Sequence, residues 1–310
     1  MSGILHSISD LSALPGPIFL SIGVFDGVHL GHRAVIERAL GDARLAGGTA
    51  VVLTFDPHPM RVLQPQQAPR LLTSTPHKLQ LIRELGVGAL LVLRFDLEFA
   101  STPPEEFIHA LHRACKPLRE ICVGHQWSFG RNRAGNLEML RRIGDASGFD
   151  EVGVPAVEID GRIVSSTLIR GAVQAGDFET ARRFLGREYT ILGTVVEGDH
   201  LGRKLGFPTA NLSAHNEQFP PDGVYAVEAI HRERRHKGVV NIGVRPTVHD
   251  PGGERILELH LFDFDSSIYG DDIEVFFREY LRPEKKFAGL DELRAQIERD
   301  AREARAILKT

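Results

Sequence analysis

The feature that most limits what this chain can fold into is a change of periodicity close to Arg187. Before it, short apolar runs alternate with segments of helical spacing. Ile18–Val24, Ala50–Phe55, Ala89–Leu93 and Leu118–Val123 read as strands. Each is followed by apolar residues recurring at three and four: Val35, Ala39, Leu40 and Ala43, then Leu79, Ile82 and Leu85, then Phe107, Ile108, Leu111 and Cys115, then Leu137, Leu140 and Ile143. Strands apolar on both faces and separated by helices predict a parallel α/β sheet with helices on both sides. Such sheets bind ligands beyond the carboxyl ends of their strands. After Arg187 the strand-like segments Thr190–Val196, Val224–Ile230, Gly238–Ile242, Ile256–Phe262 and Ile273–Phe277 follow one another without helices. Turn clusters such as FPPDG and RPTVHDPGG separate them, which predicts a small antiparallel β-barrel or sandwich. A terminal helix carries Leu290, Leu293, Ile297, Ala301, Ala304 and Leu308 on one stripe. The expected division is 1–185 and 186–310.

Composition narrows the function classes. A chain of 310 residues with 42% hydrophobic and 25% charged residues has material for two packed cores. A net charge of -4 leaves no basic footprint for general nucleic-acid binding. Cys115 and Cys122, the two cysteines, form neither a CxxC pair nor metal-finger spacing. No apolar run reaches membrane-spanning length, and the first residues lack the basic and apolar regions of a secretory signal. A cytoplasmic protein is expected, with small-molecule ligands, no nucleic acid and no membrane. The sequence leaves its oligomeric state open.

Two segments carry phosphate chemistry. In SIGVFDGVHLGHRAVIERAL, Ser21–Leu40, a strand ends, a glycine-rich turn follows, and a helix begins near Gly31. Gly23 and Gly27 let backbone approach a ligand, and the helix start offers unpaired N–H groups and a positive dipole end. His29 and His32, three residues apart, point to one side of that entrance. SSTLIR, Ser165–Arg170, adds three hydroxyls and a guanidinium at another helix start, with Ser166 or Thr167 placed to cap it. In the second half, GDHLGRKLGFPTANL has glycines at 198, 202 and 206. Thr209 and Asn211, two apart on an extended chain, face the same side and offer oxygens suited to Mg²⁺.

These motifs resemble a known family. GVFDGVHLGH resembles the HxGH signature of nucleotidyltransferases, SSTLIR their ISSTxIR segment, and TFDPHP (Thr54–Pro59) the adenylyltransferase module of bifunctional riboflavin kinase/FAD synthetases. GRKLGFPTAN, GVYAV, VVNIGVRPTV, LELHLFDFDSSIYG and LRPEKKF resemble, in order, the flavokinase module of the same family. The resemblance implies a nucleotidyltransferase-type Rossmann-like domain over 1–185 and a six-stranded barrel over 186–310. It implies that riboflavin is phosphorylated by ATP to FMN, and that FMN is then adenylylated to FAD with release of pyrophosphate. By it, His29 and His32 contact the ATP phosphates. Ser165, Ser166, Thr167 and Arg170 hold the β/γ end, and Gly23, Phe25, Asp26 and Gly31 shape the nucleotide pocket. Trp127 and Phe129 receive the flavin. The family usually has Asp-Phe where this chain has Gln126-Trp127, so an aromatic face is kept and a carboxylate lost. In the barrel, Gly202, Arg203 and Gly206 wrap phosphates, Thr209 and Asn211 hold Mg²⁺-ATP, and Glu258 accepts the riboflavin hydroxyl proton.

The residues by themselves also admit a flavokinase with an altered first half, a flavin-binding regulator without turnover, or a metal hydrolase built on His29, His32 and His58.

Overall fold

The structure, a computed structural model, describes residues 3–197, 202, 206–215, 218–245 and 254–309. The chain divides into two compact units, Met1–Arg70 with Thr75–Ser166, and Leu71–Ser74 with Thr167–Thr310.

In the first unit, β1 (Ile4–Leu5), β2 (Ile18–Ile22), β3 (Thr49–Asp56), β4 (Ala89–Arg94), β5 (Leu118–Gly124) and β6 (Asp150–Val154) form one parallel sheet in the order β1-β4-β3-β2-β5-β6. The helices are α1 (Leu30–Leu45), α2 (Pro59–Leu63), α3 (Thr75–Glu84), α4 (Leu97–Ala100), α5 (Pro104–Ala114) and α6 (Leu137–Ser147). On one face Val35, Ile36 and Ala39 of α1 and Ile82 of α3 bury Phe19, Val52 and Leu90. On the other, Phe107 and Leu111 of α5 and Leu140 and Ile143 of α6 bury Leu20, Leu53, Leu91 and Ile121. That two-sided burial explains why these strands read as unbroken apolar runs. β6, with the sequence DEVGV, carries no such run; its pairing with β5 makes it a strand. A short hairpin of β7 (Glu158–Ile159) and β8 (Arg162–Ile163) follows.

The second unit holds most of α7 (Ser166–Gln174), α8 (Phe178–Leu185) and a closed antiparallel barrel. Its strands are β9 (Thr190–Val196), β10 (Ala210–Ala214), β11 (Gly223–His231), β12 (Arg234–Arg245), β13 (Glu254–Leu261) and β14 (Asp272–Arg282), closed in the order β10-β13-β12-β11-β14-β9. β10, which contains Asn211, is the strand that the hydrophobic pattern does not reveal; it completes the six. The terminal helix, Leu290–Ile307, lies on the outer barrel wall, where Ala304 and Leu308 pack with Ala226 and Phe262. Spatially, Thr167–Leu185 groups with the barrel, ahead of the change in periodicity. Phe178 stacks on Phe277 with ring centres 5.3 Å apart and meets Tyr225 edge-on at 6.0 Å. Periodicity cannot see this, because α8 has the same helical pattern as the helices of the first unit.

Removing that aromatic contact by Phe178→Ala is expected to cost about 2 kcal/mol, less than for a fully buried Phe. Hydrogen exchange should show amide protection in β11 and β14 falling roughly 30-fold.

Candidate active sites

The strand order of the parallel sheet reverses between β2 and β5. From β2 the chain proceeds to β3 and β4 on one side, and from β5 to β6 on the other. Loops leaving the carboxyl ends of these neighbours diverge and open a crevice. The loop after β2 runs from Gly23 to His29. A Cβ on Gly23 would lie 2.7 Å from the Phe25 ring, so glycine is required there. Phe25 (φ 54°), Gly27 (φ 81°) and Val28 (φ 41°) are all left-handed. Such backbone is strained for Phe and Val, and it is the kind of turn whose amides converge on anions. Its carbonyls are anchored: Val24 O accepts from Thr54 Oγ1 at 3.0 Å and from Lys78 Nζ at 3.2 Å, and Asp26 O accepts from Ser166 Oγ at 3.0 Å. Phe25 and Asp26 are themselves buried.

His29 caps α1, its Nδ1 accepting the His32 backbone N–H at 3.2 Å. A ring nitrogen that accepts carries no proton, so the His29 proton sits on Nε2 and the ring can donate from that edge. His29 and His32 stack with ring centres 3.5 Å apart and 18° between planes, and Phe25 meets His32 edge-on at 5.4 Å. The spacing in HLGH therefore does bring both imidazoles to one side. His32 Nδ1 is sealed from solvent without a hydrogen-bond partner among the described residues. Burial, then the His29 ring, then the Lys78 ammonium hold the His32 pKa well below its ordinary value, so this ring is neutral at pH 7. Gly31 gives the stack room, since a Cβ there would lie 3.2 Å from the His29 ring.

The loop after β5 leaves the same sheet edge beside the first. Trp127 stacks on Phe129 with ring centres 4.2 Å apart and 13° between planes. Phe129 is buried and Trp127 half-buried, both packed on the core that contains Phe107; Gln126 is exposed. Of the SSTLIR segment, Ser165 and Ser166 belong to the first unit, and Ser166 donates to the loop carbonyl rather than only starting a helix. Thr167 and Arg170 group with the second unit, where Arg170 Nη2 donates to Thr167 Oγ1 at 3.3 Å. Among the described residues His29, His32 and His58 do not converge into a metal-binding cluster, and His58 Nδ1 instead caps α2 through the Met60 N–H.

The barrel builds a different site. Along β13, Leu257, Leu259 and Leu261 are buried while Glu258 is exposed and His260 is partly so. Register then does what spacing cannot: Glu258 is the direct cross-strand partner of Asn211 on β10 and of Asn241 on β12. Such neighbours stand about 5 Å apart at Cβ on one face. Asn241 Nδ2 donates to Glu284 Oε1 at 3.2 Å. Asn241 and Glu284 are missed by sequence reasoning; strand pairing finds Asn241, and its hydrogen bond finds Glu284. Glu258 and Asn241 line a cleft of about 690 Å³, mouth included, walled by Val239, Phe287, Leu293 and Ile297 under the terminal helix. Its roof is held by Arg282, whose guanidinium binds both oxygens of the buried Asp300 at 2.7–3.0 Å. A second cleft, of about 1080 Å³, is lined by Pro208, Asp265, Ser266, Ser267 and Tyr269. Thr209 lines both clefts. Just before it, Phe207 N–H donates to Gly202 O at 2.8 Å, and His260 Nδ1 lies 2.9 Å from Pro208 O. A Cβ on Gly202 would lie 2.9 Å from Thr209 Oγ1. Gly206 takes φ 87°. Arg203 lies outside the described residues.

The neutral His32 has a measurable consequence. An unfolded histidine titrates near 6.5, whereas the folded ring resists the proton. As pH falls below about 6.5 the unfolded chain therefore takes up a proton first and stability drops; above it the contribution is fully present. NMR should find the His32 ring still neutral at a pH where an unfolded histidine is protonated, and His32→Gln should flatten the acid limb of stability against pH.

Known proteins match both halves of the chain. The FAD synthetase family model matches residues 12–168 and the riboflavin kinase model residues 185–308. The bifunctional riboflavin kinase/FMN adenylyltransferase of Escherichia coli K12 is 38% identical over 304 residues, covering 97% of this chain and 96% of that one. The protein of the same description from Bacillus subtilis 168 is 38% identical over 288 residues, 92% and 90% of the two chains. A solved structure described as a macrolide-efflux protein from Streptococcus pneumoniae superposes with a TM-score of 0.83 at 29% identity over 98% of each chain. No helix among the described residues is long and apolar enough to cross a membrane. With family models matching both halves and relatives matching nearly end to end, this chain belongs to the bifunctional riboflavin kinase/FMN adenylyltransferase family.

Proposed function

We propose that residues 186–310 transfer the γ-phosphoryl group of ATP to riboflavin, and that residues 1–185 join the resulting FMN to AMP from a second ATP. FMN and then FAD are the flavin products. The observation that carries this reading is the presence in one chain of two separate phosphate-handling constellations: the stacked histidines at the start of α1, and the Glu258 row beside Thr209.

In the kinase reaction Glu258 accepts the proton of the riboflavin 5′-hydroxyl as its oxygen attacks the γ-phosphorus and ADP leaves. The cleft walled by Val239, Phe287 and Leu293 suits the flavin ring, and the second cleft, with the Ser266 and Ser267 hydroxyls in its lining, suits ATP. Thr209, bordering both, lies where donor and acceptor meet. The oxygens of Thr209 and Asn211, beside the Glu258 carboxylate, fit Mg²⁺. They would hold it, and bound there it would neutralise charge on the transferring group. Gly202, Arg203 and Gly206 enclose the phosphates.

In the adenylyl transfer an FMN phosphate oxygen attacks the α-phosphorus of ATP, the α–β bridge breaks, and pyrophosphate leaves. No proton need move, so catalysis is positioning and charge stabilisation. His29 donates from Nε2 to phosphate. His32 packs that ring and shares the entrance. Arg170, with Ser165, Ser166 and Thr167, is assigned the β/γ end on the strength of its motif. The Trp127–Phe129 stack, on the loop beside the histidine loop, receives the isoalloxazine.

A time course with riboflavin, ATP and Mg²⁺, resolving FMN and FAD, tests the sequence of reactions. His32→Ala should lower FAD formation about 100-fold or more while FMN still accumulates. Glu258→Gln should lower FMN formation by about 100- to 10,000-fold while supplied FMN is still converted to FAD. Loss of both reactions in either folded variant would refute two independent sites. Trp127→Ala should raise the KM for FMN roughly tenfold and leave riboflavin phosphorylation unchanged.

A further inference from the structure

Lys78 lies on α3 with 5% of its surface exposed. All three donors of its ammonium are used: Nζ is 3.2 Å from Val24 O, 3.1 Å from Thr54 Oγ1 and 3.2 Å from Phe55 O. Thr54 Oγ1 donates its own hydrogen bond to Val24 O at 3.0 Å. Two donors therefore fix the Val24 carbonyl. Because the peptide unit is planar and trans, a fixed carbonyl at Val24 also fixes the direction of the Phe25 N–H. Phe25 is the first left-handed residue of the phosphate turn. The turn's shape is thus set from below by a side chain 54 residues away.

Uncharged donors could hold a carbonyl without the penalty of burying an ammonium. A buried cation under a turn that receives polyphosphate has an electrostatic use as well. The charged and titratable groups facing it are Asp26 from the turn, Asp56 from the end of β3 and His32 from α1. Burial lowers the Lys78 pKa to about 8, against the opposing pull of Asp26 and Asp56.

We propose that Lys78 is a positioning residue for adenylyl transfer: through Val24 and Thr54 it holds the 23–28 turn in its phosphate-receiving shape and keeps a positive charge beneath it. The proposal rests on the adenylyltransferase reading above. Full-length protein supplied with FMN, ATP and Mg²⁺ tests it, with riboflavin phosphorylation by the same preparation as control. Lys78→Met should lower kcat/KM for FAD formation by about 10- to 100-fold and leave FMN formation within about twofold. In the wild type, kcat/KM for FAD formation should fall as pH rises through about 8, where the ammonium is lost. Lys78→Arg, which stays charged, should remove that fall. The proposal is overturned by undiminished FAD formation in Lys78→Met, by equal loss of both activities, by a flat wild-type profile from about pH 7 to about 9.5, or by an unchanged alkaline fall in Lys78→Arg. Should Lys78→Met fail to fold, the two pH profiles decide alone. A wild type that makes no FAD at all refutes the underlying reading instead.

Discussion

The reversal of strand order between β2 and β5 is the constraint from which the first unit's chemistry follows. A parallel sheet needs a crossover between strands, and at every other junction a helix or its loop closes over the strand ends. Between β2 and β5 the connections depart in opposite directions, so the carboxyl ends of two adjacent strands stay open. The histidine loop and the Trp127–Phe129 loop leave there side by side. The histidine loop is locally unfavourable, with Phe25 and Val28 left-handed. It persists because its carbonyls are bound by Thr54, Lys78 and Ser166, each on a well-packed element.

The barrel solves a different problem. Its interior is packed with Leu257, Leu259, Val240 and Ile242, and the second cleft opens against Leu259 and Leu261. The polar row of Asn211, Glu258 and Asn241 stands on the outer face of the same strands. An exposed row of this kind needs a roof before it can exclude water. The terminal helix supplies one, tied down by the Arg282–Asp300 pair and by Arg305 bound to Asp263. With a net charge of -4, neither unit attracts phosphate by its overall field. Both rely on local devices: a helix start, glycine turns and single buried or anchored cations.

Legibility differed by the kind of signal. Strands of the parallel sheet announced themselves because both faces are buried. β6 and β10 did not, being short and at best half apolar. Glu258 was legible as an alternating outward residue, but nothing in LELH distinguishes it from a solvent-facing charge; its partnership with Asn211 and Asn241 does. The family resemblance marks Trp127 as a flavin platform. It is in fact half-buried on Phe129, packed against the core at the mouth of the crevice. Nothing in the sequence singles out Lys78, since periodicity reports which face turns inward and not what waits there.

The sequence alone determined the two architectures, through hydrophobic period, and the histidine stack and glycine turns, through spacings of a few residues. These are local properties, carried by backbone geometry within one element. Only the tertiary structure decided which polar groups meet across elements: Lys78 with Val24, Asn241 with Glu258, two clefts sharing Thr209, and α8 packed on the barrel. Register and helix docking arise from packing between segments distant in the chain, and no local pattern encodes them.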